Sequence, residues 1–154
     1  MRKKTVISNL GEVDVIYRYK KSLKNRPTVK SADDAKTIFR DLFPEGTLGL
    51  QEQFAVLYLN RSNLVIGSAI LFKGGVSNTT VDMRIVVGSA VKVLSSGVIV
   101  AHNHPSGNLT PSKDDIELTK RLKECLRLMN ITLLDHLIIT PDFSHRSLAE
   151  QGLI

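Results

Sequence analysis

The segment Val98-Ile99-Val100-Ala101-His102-Asn103-His104-Pro105 decides how this chain folds. It begins as a short, fully apolar run bounded by Gly97 and Pro105, which reads as a central strand, Val98 to His102. Residues 103–111 are rich in Asn, Pro, Ser and Gly and read as a loop. Ser112 to Met129 follows as the clearest helix, and Ile131 to Thr140 returns as a strand before a short tail with a hairpin or helical turn.

The upstream sequence extends the same alternation. Glu12 to Tyr19 alternates like a strand, with Val13, Val15, Tyr17 and Tyr19 on one face. Lys20 to Lys30 is a basic connector containing Pro27. Ser31 and Asp34 form a capping-box pair, after which Ala35, Ile38, Phe39 and Leu42 space out as a helix face ended by Pro44 and Gly46. Phe54–Asn60 and Leu64–Phe72 read as an antiparallel hairpin through Arg61-Ser62-Asn63. In 82–95 apolar residues at 87, 90, 91 and 94 indicate a helix. The expected class is therefore α/β, a mixed sheet flanked by helices.

The 154 residues suit one core domain, 31–154, preceded by a basic segment, 1–30. That segment holds nine Lys/Arg against Glu12 and Asp14, an excess of seven positive charges, whereas the rest carries 12 Lys/Arg against 13 Asp/Glu. A basic arm of this kind suits DNA phosphates or an acidic protein, or serves as a solubilising tail. No apolar run is long enough to cross a bilayer, and no apolar stretch follows Met1-Arg2-Lys3-Lys4 to make a signal peptide. The single Cys125 fits a reducing cytoplasm, excludes a Cys-rich zinc site and reads as core packing.

The chemistry concentrates at the end of the central strand. Alternate strand residues share a face, so His102 and His104 project together while Asn103 points away. Ser112 can cap the next helix, which leaves Asp114 and Asp115 in its first turn. Asp115 lies on the core-facing stripe continued by Leu118, Thr119, Leu122, Leu126 and Met129; Asp114 shares its side with Arg121 and faces out. An inward carboxylate at a buried face needs a partner, and a metal ion supplies one. Two imidazoles and one carboxylate leave a fourth position for water, the pattern of a catalytic zinc site. The imidazoles favour Zn2+ over magnesium or calcium; iron, nickel and manganese stay open.

The order His102-x-His104, seven residues, Ser112, two residues, Asp115 resembles the JAMM (MPN+) metalloprotein signature. The stretch His102-Asn103-His104-Pro105-Ser106-Gly107-Asn108, with Pro111-Ser112, Leu134-Asp135-His136-Leu137-Ile138 and Ala149-Glu150-Gln151-Gly152-Leu153, resembles RadC in particular, over roughly 31–154. The resemblance implies a JAB/MPN domain, a cytidine-deaminase-like α/β/α arrangement, and a metallopeptidase-type hydrolase acting on a peptide or isopeptide amide. It also implies Glu52, rather than Glu45, as general acid/base and Ser112 as a donor to the oxyanion. Longer relatives carry a helix-hairpin-helix region upstream; here that part reads as a short basic strand and connector, as in versions on bacterial mobile elements. The family's link to DNA repair makes a non-catalytic, metal-retaining DNA-associated or protein-binding module the alternative.

Other classes fit less well. The histidines of an HNH nuclease are spread over a ββα unit, not packed in one tripeptide. A zinc nucleoside deaminase needs H-x-E and P-C-x-x-C, and one cysteine cannot make that pair. His136, in an apolar strand beside Asp135, reads as a satisfied structural histidine, and His145 as a surface residue. Lys73 and Arg84 could line the cleft or be solvated.

Overall fold

A computed structural model describes residues 25–74 and 80–154. The expected strand over 12–19 and the first part of the connector lie outside them. In chain order come α1 (Ala32–Leu42), β1 (Gln53–Leu59), β2 (Val65–Lys73), α2 (Met83–Lys92), β3 (Gly97–Asn103), α3 (Lys113–Leu128), β4 (Thr132–Ile139) and β5 (His145–Ser147). The five strands form one mixed sheet in the order β2-β1-β3-β4-β5. β3 and β4 are parallel and every other pair is antiparallel. Parallel neighbours need a crossover, and α3 supplies it.

Strand periodicity sorts the core into two layers. Ala55, Leu57, Leu59, Ile99, Ala101, Leu137 and Ile139 face α1 and pack with Ala35 and Phe39. Phe54, Val56, Tyr58, Val98 and Val100 point the other way, against Val86 and Ala90 of α2 and Leu122 and Leu126 of α3. The fold is thus α/β with helices on both faces. By the same alternation His102 continues the α3-facing row, and Asn103 the α1-facing row. The end of the connector joins this frame: Thr28 bridges to Leu64, and the Val65 N–H donates to the Pro27 carbonyl.

Both serine caps form as expected. Ser31 and Asp34 make a capping box on α1, and Ser112 and Asp115 make one on α3. The tail after β4 is a hairpin into β5.

Four expectations require correction. The stripe assigned to 82–95 holds only in part: Ala90 is buried and Val87 packs against the same core layer, but Val86 is buried with them, and Val91 and Leu94 are exposed. α2 stops at Lys92, and Leu94 sits beyond it in the left-handed region at φ 54°. Met129, placed on the core stripe of α3, is the exposed C-cap, where the helix has already stopped and its periodicity no longer applies. Cys125 is half-buried rather than core, because Leu122 and Leu126 take the inward positions of that turn. β3 runs one residue further than expected, so Asn103 belongs to the sheet and the loop starts at His104.

Candidate metal centre

The structure brings His102, His104 and Asp115 together from three local contexts: the end of β3, the loop after it, and the first turn of α3. Their donor atoms all lie within 4.8 Å of one another. His102 Nε2 is 2.9 Å from His104 Nε2 and 3.1 Å from Asp115 Oδ1, and His104 Nε2 is 3.5 Å from Asp115 Oδ2. Ligands about 2.0–2.1 Å from a tetrahedral zinc ion stand about 3.3 Å apart, so separations of this scale suit such a site, with the two histidines facing different oxygens of the one carboxylate.

Protonation favours the same conclusion. His104 Nδ1 is 2.6 Å from the Asn108 carbonyl, which can only accept, so this nitrogen carries the proton and Nε2 keeps its lone pair in the neutral ring. The loop closes through a turn in which the Gly107 N–H donates to the His104 carbonyl, with Gly107 at φ 80°. A glycine is the residue that adopts this conformation without strain.

Asp115 does two tasks. Its Oδ2 accepts from the Ser112 N–H and hydroxyl, both at 2.7 Å, while the Asp115 N–H donates to Ser112 Oγ at 3.0 Å. Burial would raise the Asp115 carboxyl, but hydrogen bonds from His102 and His104, their charge, and Ser112 together hold it far below the usual carboxylate range. The hydrogen bond to Asp115 raises His104 above its ordinary value; burial opposes this, while the Asn108 carbonyl and the charges of Asp115 and Glu52 reinforce it. A carboxylate that raises the His104 imidazole and lies 3.1 Å from His102 Nε2 is a site that a divalent cation would satisfy better. The donor set fits zinc.

His102 Nδ1 lies 2.8 Å from Nε2 of His136, and His136 Nδ1 lies 2.6 Å from Thr119 Oγ1. His136 is fully buried, and that burial pushes its pKa well down, so the ring is neutral. It is a satisfied core histidine, as its sequence context suggested, but it sits directly behind His102.

A cleft of about 860 Å³ opens over the cluster. Glu52, Phe54, Ser112, Asp114, Leu118 and Arg121 are among its walls. Glu52 is thus beside the three donors, whereas Glu45 lines a separate hollow with Phe43 and Pro141. Asp114 is exposed, on the cleft wall rather than in the cluster. Lys73 and Arg84 are exposed and do not line the cleft; Arg84 pairs with Asp82 at 2.6 Å. His145 is half-buried on β5, outside the cleft.

Asn103 is the functional residue that sequence reasoning passed over. Fully buried on the α1 side, its amide donates to the carbonyls of Leu48 and Gln51, and its Oδ1 accepts from the Gln53 N–H. These bonds fix the chain on both sides of Glu52, whose own carbonyl accepts from Gly74 N–H at 2.8 Å. The middle residue of the His-x-His tripeptide therefore sets where the cleft carboxylate stands. A buried amide between two ligands was the available signal, but its partners lie about fifty residues upstream.

The family model described as RadC-like JAB domain matches residues 29–153. A UPF0758 protein of Porphyromonas gingivalis is 41% identical over 128 residues, covering 83% of this chain and 56% of that protein. A UPF0758 protein of Staphylococcus haemolyticus is 40% identical over 134 residues, 87% of this chain and 57% of its own length. One from Clostridium botulinum is 39% identical over 152 residues, 99% of this chain and 65% of its own. The chain spans less than two thirds of the length of these relatives. On the match over nearly all of the described sheet and helices, the chain belongs to the RadC-like JAB domain family.

Proposed function

We propose that this domain is a zinc-dependent hydrolase of JAMM type that cleaves a peptide or isopeptide amide. The observation that carries this reading is the convergence of His102, His104 and Asp115, with donor atoms within 4.8 Å of one another, in the lining of a cleft. The JAB superfamily contains metallohydrolases, which agrees with it. When bound, zinc supplies Lewis acidity and a water acidified toward neutrality.

The chain's own groups would then divide the work. His102 and His104 hold the ion through Nε2, and Asp115 through its carboxylate. Glu52, on the cleft wall, takes a proton from the attacking water and returns it to the leaving amine. The Ser112 hydroxyl is assigned to the oxyanion. With Asp115 Oδ2 free to accept from it, that hydroxyl donates to the carboxylate, so the assignment requires it to change partner as substrate binds.

The test is metal content followed by a peptidase screen, with Glu52→Gln as the control. Glu52→Gln should keep the metal and lose hydrolysis; unchanged hydrolysis in that variant contradicts the role given to Glu52. A second reading, a metal-retaining module that binds DNA or an acidic protein, is favoured by the seven-charge excess in residues 1–30. It requires salt-sensitive DNA binding that disappears when residues 1–30 are removed, and binding that survives truncation defeats it.

A further inference from the structure

The three-residue chain behind His102 permits an accounting of protons. The Thr119 hydroxyl has one proton, and Oγ1 lies 2.6 Å from the Asp115 backbone carbonyl, which can only accept. That proton is therefore committed. Oγ1 also lies 2.6 Å from His136 Nδ1, and with its proton spent it must accept there. His136 thus carries its proton on Nδ1. A neutral ring has only one, so His136 Nε2 is bare and accepts from His102 Nδ1, 2.8 Å away. His102 in turn has a proton on Nδ1, which leaves Nε2 as the nitrogen that faces His104 and Asp115 and would take an ion.

We infer that Thr119 and His136 are positioning residues that lock His102 into the metal-binding tautomer. The relay joins three elements: His102 on β3, His136 on β4 and Thr119 on α3. It begins on the backbone of Asp115, so the fold itself ties one ligand's protonation to another ligand's carbonyl. Metal-bound histidines ordinarily place the outer N–H on a carboxylate, a carbonyl or water. A second imidazole is ambiguous by itself, because it can donate or accept, and the threonine removes the ambiguity.

Thr119→Val keeps the shape and deletes the hydroxyl. The buried His136 Nδ1–H then has no acceptor, and the ring relaxes by moving its proton to Nε2. That N–H faces His102 Nδ1, which must now accept, and the His102 proton moves to Nε2, where an ion would have to displace it. Thr119→Ser restores the hydroxyl and the wild-type arrangement.

The inference rests on the metal reading above, and two measurements on the full chain keep the two separable. Ring-nitrogen NMR of the metal-free protein at mildly alkaline pH should find His102 and His136 both protonated at Nδ1. Competition with a chelator should find zinc bound about tenfold or more weakly by Thr119→Val, with Thr119→Ser close to wild type. A His102 Nδ1 without a proton in the wild type overturns the relay, as does wild-type zinc affinity in a folded Thr119→Val. If that variant does not fold, the wild-type spectrum decides alone. A wild type that binds no zinc defeats the metal reading, and its ring-nitrogen spectrum still decides the relay.

Discussion

His102 and His104 stand two residues apart, yet the molecule supports them by different means. His102 is the end of a buried strand, its ring backed by His136 and Thr119 from two other elements. His104 belongs to a loop, is partly exposed, and is backed by the carbonyl of Asn108, four residues on. One half of the site is thus part of the core and the other is a local turn laid over it. Changes behind His102 should disturb folding and metal together, whereas changes behind His104 should disturb metal with little effect on folding.

His102→Ala gives the largest expected effect. It leaves a cavity and an unpaired nitrogen on buried His136, a cost on the order of 3–4 kcal/mol in chemical denaturation. His104→Ala should cost less than about 1 kcal/mol, since its side chain is partly exposed. Equal costs would break the comparison.

Asn103→Leu comes next. It strips the carbonyls of Leu48 and Gln51 and the N–H of Gln53 of their partner, for on the order of 2–3 kcal/mol. Metal affinity should hold while hydrolysis falls, because the segment that moves carries Glu52. Lost metal with intact hydrogen exchange at 48–53 would show that Asn103 supports the ligands instead.

Gly107→Val should cost about 1–2 kcal/mol from its positive φ. Zinc affinity should drop because the turn delivers Asn108 to His104, and a chelator titration checks it. The smallest effect concerns pH in the metal-free protein. His104 is raised above 6.5, so its contribution to stability is fully present below that value and lost as pH rises through the folded value. His104→Ala should flatten that dependence in melting curves, and an unaltered profile would detach it from His104.

The fold was readable wherever local periodicity sufficed. The apolar run at 98–101, the strand alternation carrying His102, and the Ser112 cap that turns Asp115 inward are short-range properties, and the structure brings His102, His104 and Asp115 together. What escaped depends on distant partners. Asn103 points away from the ligands, as alternation requires, but its purpose depends on the 48–53 segment. His136 reads as a core histidine in its own strand. Its place behind His102 depends on the β3–β4 pairing, which includes a register shift between Val98 and Ile99 that no local pattern announces. The α2 stripe misled because Val91 and Leu94 are apolar at helical spacing yet stand at and beyond a helix end.

The most direct test of the central claim is elemental analysis of the chain purified without added metal, beside His104→Ala and Asp115→Ala. The account predicts close to one equivalent of zinc in the wild type and none in either folded variant. A wild type without tightly bound metal, or variants that keep it, would contradict the site.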